Sequence, residues 1–395
     1  MKKLGIFLLA VSLNAAISAQ DKNQDKNILN HMDVGVNVGT LGVGIDVAVP
    51  VGDYVRIRAG YNYMPRITFN SDFPIETSKG GFGQTALQYF NKNKDKVADI
   101  LNKPPFDQPQ YQKYTELFGK LSNMELRDYV TMGLKPTLHQ FKFLVDVMPF
   151  KNNKHWSFTT GFFVGPSNIG SACNLDKETA VLEGVLAYNE MYIEVCDQTF
   201  PAGQLKVDGI DILGKMKEAG VAGFPLGYFD KERRYKAMMV PGEDATARAE
   251  LEISKIRPYV GFGYNTHLSR NRKWNLNVDA GVLFLCGKPS VYVDNVYCID
   301  VKAPKSLPYP DEYGGGDEPN YDIVHPNMSE EYLRGDEGQP DFFYDKDDPS
   351  KYRQHVDLVH DLYDMPNGKV RDMVNTISKF KVYPNLSVSV SYRLF

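Results

Sequence analysis

Beyond its first two dozen positions the chain has no uninterrupted apolar stretch of eighteen residues, which excludes a transmembrane helix. A chain of that kind crosses a bilayer only as a closed β-barrel, because in hydrocarbon every backbone N–H and C=O must find a partner within the protein. There is no basic surplus either. The formal net charge is −4, whereas a nucleic-acid surface needs a positive footprint, so nucleic acid drops out as a partner. Cysteine is sparse, four in 395 residues, and neither a C-x-x-C pair nor a His at ligand spacing accompanies it, which disfavours a zinc centre.

Catalytic signatures are equally thin. The seven His residues form no ligand pair: His355 and His360 lie five apart, the wrong spacing for one helix face. Ser167, in Gly165-Pro166-Ser167-Asn168, lacks the G-x-S-x-G context of an activated serine. His139 comes closest to a rim position where a lipid-active barrel would hold a base, and a rim hydrogen bond is its ordinary reading. Asp345, Asp347 and Asp348 lack the Gly and closing Glu of a calcium loop. The sequence therefore calls for no enzyme activity, metal or cofactor.

What is present begins with an export signal. Lys2 and Lys3 precede an apolar run from Leu4 to Leu13, and Ser18-Ala19 offers a cleavage site before Gln20, so residues 1–19 read as a signal peptide. No Cys follows that site, which argues against a lipoprotein anchor. In an exported chain the four cysteines suit two disulfides. Cys173 with Cys196 and Cys286 with Cys298 are the local pairings, with free thiols the alternative, since spacing does not fix connectivity.

Period-two alternation then recurs along the chain. Between Ile256 and Phe284 two arms of about ten residues each place Ile, Val, Phe, Tyr, Trp and Leu on one face and Arg, Asn, Asp and Gly on the other. Similar stretches give eight strands at about 32–39, 42–50, 54–64, 138–149, 155–165, 255–266, 273–286 and 384–395, after a polar lead at 20–31. A phase slip near Thr40-Leu41-Gly42 leaves open whether the first two form a hairpin or one bulged strand. Short turns (Gly52-Asp53, Lys151 to Lys154, Ser269 to Arg272) alternate with long insertions at 65–136, 166–252 and 288–382. An even-stranded up-and-down barrel sorts its loops in this way, short on one side and long on the other. Helical spacing predicts helices within the insertions over Thr85–Leu101 and Gln110–Leu121, from Asp176, from Asp348 and near Pro366.

The signal peptide, the strand Pro258-Tyr259-Val260-Gly261-Phe262-Gly263-Tyr264, the Gly287-Lys288-Pro289 exit and the ending Ser391-Tyr392-Arg393-Leu394-Phe395 resemble small, eight-stranded Gram-negative outer-membrane β-barrel proteins. The resemblance covers the strands and none of the insertions. It implies an all-β transmembrane fold with long extracellular loops, outer-membrane lipid as solvent, and a terminal signal read by the barrel-assembly machinery, here Tyr392 and Phe395. The family usually carries an aromatic residue two positions before the last; in this chain Tyr392 stands three before.

Inside an eight-stranded barrel there is room for little more than side chains. The inward-facing charges Asp46, Arg56, Arg58, Lys142, Asp146, Arg257, Asp279 and Arg393 are therefore expected to pair and plug the lumen, with a narrow ion path along Arg56 and Arg58 as the rival. The insertions hold more of the chain than the strands do, and loops of that size carry function. One of them is acidic, with fourteen Asp or Glu against four Lys or Arg between Ile299 and Asp348. It is also rich in aromatics: Tyr313, Tyr321, Tyr332, Phe342, Phe343 and Tyr344. The leading expectation is an anchored extracellular cap binding a protein, a glycan or another outer-membrane subunit. A channel, a lipid-modifying enzyme and a soluble secreted β-protein are the alternatives.

Overall fold

The computed structural model describes residues 31–77, 84–104, 108–124, 127–196, 206–233, 235–300, 323–324, 356–364 and 369–394. Residues 1–30, with the expected signal peptide among them, most of the acidic insertion with its six aromatics, and Phe395 lie outside them. Eight antiparallel strands close into a barrel. They are β1 (Asp33–Gly39), β2 (Gly42–Val51), β3 (Val55–Tyr63), β4 (His139–Val147), β5 (Trp156–Val164), β6 (Ile256–His267), β7 (Trp274–Phe284) and β8 (Val382–Arg393). Each pairs with its neighbours in sequence order, and β8 returns to β1 with Asp33 opposite Arg393 and Gly39 opposite Ser387.

The phase slip near Thr40 is a hairpin. Gly39 faces Gly42 across the turn, and Gly42 holds φ +89, where a Cβ would run into the backbone at Tyr63 and Met64. The strand count is therefore even, and both ends of the barrel chain meet on the short-turn side.

Alternation decides which atoms meet which solvent. Val36, Ile45 and Phe262 on the outer face are 62, 61 and 64 % exposed, whereas Arg58, Asp146 and Asp279 on the inner face are almost wholly buried. The outer apolar residues come from every strand, including Phe141, Phe143, Trp156, Trp274, Leu386 and Val388. A continuous apolar girdle of this kind is far larger than the patches a soluble monomer leaves in water. Among the described residues no helix is long and apolar enough to cross a membrane.

The insertions form a cap at the long-loop end with its own apolar core, built around residues such as Leu121, Val130, Leu182, Tyr192, Phe224 and Met238. Helices α1 (Gln84–Leu101), α2 (Gln112–Ser122), α3 (Thr179–Cys196), α4 (Ile212–Ala219) and α5 (Lys369–Lys379) belong to it. So do two sheets, of six and five strands, that the alternation does not reveal. Ala222–Tyr228 and Tyr235–Met239 pair inside the core and are buried on both faces, which erases a period of two, and Glu76–Thr77 is too short to show any period.

The local disulfides are not formed: Cys173 and Cys286 are free thiols. Cys173 lies in the cap strand Asn168–Asn174, opposite Arg248 and Gly133, whereas Cys196 ends α3. Cys286 is exposed just beyond β7, while Cys298 pairs through its backbone with Ala237 and Val324 in the five-stranded sheet.

Candidate functional site: the lumen and its two ends

The lumen is organised in three layers, set by the inward parity of the strands. In the middle, Arg58 on β3 reaches Asp279 on β7 (Nη1 to Oδ2 2.7 Å, Nη2 to Oδ1 3.0 Å) and donates to Asp146 on β4 at 2.8 Å. Arg56 donates to the other oxygen of Asp146 at 2.8 Å and to Asn277 at 3.2 Å. Thr159 donates to Asp146 as well, at 2.8 Å. Beside this cluster Lys142 pairs with Asp46 at 2.5 Å, and Asp46 accepts from Asn37, which in turn accepts from Asn62. Six of the eight charges named from sequence thus meet in the middle of the barrel. The amides Asn37, Asn62 and Asn277 and the hydroxyl of Thr159 were not singled out there, although they share the same inward parity. Buried charges of this kind persist only when paired and hydrogen-bonded, and here they are.

At the long-loop end an apolar layer caps the lattice. Leu41, Leu138, Leu144, Phe163, Tyr259 and Leu283 pack into one cluster. The Phe163 and Tyr259 rings meet edge to face at 5.5 Å, and Asn385 donates to the Tyr259 hydroxyl at 3.4 Å. The space left between this layer and the lattice is about 10 Å³, room for about one water. An ion path needs unpaired charge and a continuous water column; Arg56 and Arg58 are both paired. Arg257 stands apart from the lattice at this end. It donates to Gln140 Oε1 at 2.7 Å and to the carbonyls of Ser254 and Pro166 at 2.9 and 2.5 Å, tying the second insertion to the rim. His139 is exposed at the same rim with its Nδ1 3.0 Å from the Thr137 carbonyl, a local turn contact.

The short-turn end is open. There a cavity of about 460 Å³ is lined by the last inward residues of the strands and by the turns. Arg393, the eighth charge, pairs with Asp33 at 3.4 Å in its wall. His31 also lines it, 3.8 Å from Asp33. Burial, reinforced by Arg393 and Arg56 and opposed by Asp33, holds the His31 imidazole below its ordinary range. On the outer face nearby, Tyr392 packs against Trp274 with centroids 5.0 Å apart.

No family model matches the chain, and no curated protein does. Solved structures similar to it include two from Acinetobacter baumannii. The crystal structure of Acinetobacter baumannii CarO is 10 % identical, with a TM-score of 0.33, over 93 % of this chain and 99 % of that one. The crystal structure of Acinetobacter baumannii CarO2 is 12 % identical, with a TM-score of 0.33, over 94 % of this chain and 100 % of that one. Independently of both, the chain's own strand register makes it a closed eight-stranded antiparallel barrel.

Proposed function

We propose that the protein is an outer-membrane barrel of a Gram-negative bacterium, exported by its signal peptide, that anchors a binding cap at the cell surface. The apolar girdle of the barrel supports the membrane setting: Val36, Ile45 and Phe262 are more than half exposed, and hydrocarbon is the solvent that suits them. The observation that carries the anchoring role is the filled lumen beneath a cap with a core of its own. Above the open mouth, paired charges and an apolar layer fill the barrel, with a cavity of about 10 Å³ between them, and this filling gives a solute no through-path. The larger part of the chain lies in a unit that a barrel does not need for its stability. The partner is a surface macromolecule, a protein or a glycan, met by the cap and its acidic, aromatic-rich insertion.

Affinity capture from detergent-solubilised outer membrane tests this reading. The tagged full-length protein retains a stoichiometric partner, and a chain with residues 305–350 removed loses it. A captured complex indifferent to that deletion, or none at all from cells and their surface glycans, overturns the role.

A further inference from the structure

The open end of the barrel has a chemistry that the cap does not explain. Continuing the inward parity past the charge lattice brings His31, Asp33, Arg56, His155, His267 and Arg393 to one mouth, where the turns add Asp53, Lys154 and Arg272. Asp146 already holds Arg56, and Asp33 holds Arg393. The remaining fixed charges are Lys154 and Arg272 against Asp53, a small positive excess that three imidazoles can enlarge.

Two of those imidazoles are set in a particular way. His155 Nδ1 lies 2.6 Å from the backbone carbonyl of Asn265, and His267 Nδ1 lies 2.5 Å from Asn275 Oδ1. Both neighbours are oxygen acceptors, so each Nδ1 carries the proton and donates. Each ring keeps Nε2 as its other polar atom, an acceptor when the ring is neutral and a second donor once it is protonated. The cavity, about 460 Å³, is in the size range of small-molecule sites, and the plug above makes it a blind vestibule rather than a passage.

We propose that this mouth binds a small polyanion, a molecule with two or more carboxylate or phosphate groups, held by Lys154, Arg272 and the Nε2 edges of His155 and His267, and held more tightly as the pH falls. An anion beside the imidazoles favours their charged forms, so binding below neutrality takes up protons. His31, whose imidazole is held below its ordinary range by burial and by Arg393 and Arg56 against the pull of Asp33, joins as the bound charge offsets those cations. The site is a property of the barrel mouth and does not depend on what the cap binds.

Calorimetric titration of the full-length protein in detergent at about 0.15 M salt, where loose surface attraction is screened, tests the proposal with citrate and with pyrophosphate at pH 8 and pH 6. Saturable binding of at least one anion is expected, about tenfold tighter at pH 6, with proton uptake read from buffers of different ionisation heat. Binding of citrate alone or of pyrophosphate alone supports the site and identifies the anionic group it prefers. Lys154→Gln with Arg272→Gln removes binding at both pH values. His155→Gln with His267→Gln keeps the pH 8 affinity and loses the tightening. No saturable heat with either anion at either pH, or affinity indifferent to the loss of Lys154 and Arg272, overturns the proposal.

Discussion

Arg58 and Asp279 face each other from opposite walls of the barrel, β3 and β7, and join through two parallel hydrogen bonds of 2.7 and 3.0 Å. The pair spans the lumen at a point where both residues are nearly without solvent contact. A bidentate guanidinium–carboxylate pair fixes geometry as well as charge, and it acts here as a cross-beam between strands that share no backbone hydrogen bond.

Removing half of that beam leaves buried charge behind. Arg58→Ala strands Asp279 and weakens the hold on Asp146, and it is expected to cost about 3–5 kcal/mol. Arg58→Met combined with Asp279→Leu costs less than the single change, because no charge in that pair is left alone. Urea unfolding in detergent, followed by the gel shift between boiled and unboiled protein, measures both; a single variant as stable as the parent contradicts the cross-beam.

The outer face gives a prediction that separates lipid from water as its solvent. Val36 sits mid-strand, opposite Ile45 and Val390. Val36→Arg is expected to cost about 2–4 kcal/mol of folding free energy in vesicles, whereas Glu183→Lys on the cap stays within about 0.5 kcal/mol. If Val36→Arg is as harmless as Glu183→Lys, the girdle does not face hydrocarbon.

Conduction tests the plug. The unmodified protein in planar bilayers is expected to pass no current. Phe163→Ala with Tyr259→Ala opens only the apolar layer and stays silent over the intact charge lattice. Adding Arg58→Gly to that pair opens the path. Discrete current steps from the unmodified protein refute the filled lumen.

Lys236 supplies a pH test confined to the cap. Its ammonium lies 3.4 Å from the Thr77 carbonyl on a nearly inaccessible strand, and burial, opposed only in part by Glu76, lowers its pKa. With the folded value below the unfolded one, the unfolded chain holds the extra proton between them, so stability rises as pH climbs through that window towards the ordinary lysine range. Comparing Lys236→Met with the parent by thermal unfolding from pH 7 to pH 10.5 isolates this contribution. The variant is expected to lack that part of the rise, and equal slopes in the two proteins refute it.

Much of the barrel was legible in the residues because its rule is local. Each strand meets two solvents, so a period of two appears wherever a strand does, and the inner set Asp46, Arg56, Arg58, Lys142, Asp146 and Asp279 follows from parity alone. Both Thr40-Leu41 readings fitted that period, and only the opposition of Gly39 to Gly42 made the turn a hairpin. The cap was legible in its helices, where amphipathic spacing marks α1, α2 and α5, and opaque in its sheets, where strands such as Ala222–Tyr228 are buried on both sides.

By itself, then, the sequence determined the barrel strands, their facing and the charges they carry inward, since each depends on neighbours two residues away. Which charge grips which, that Arg257 binds Gln140 and two carbonyls rather than an acid, and that three histidines share one mouth were decided by closure. Closing the barrel brings together residues as far apart as Asp33 and Arg393, and no spacing along a chain encodes a distance across a lumen.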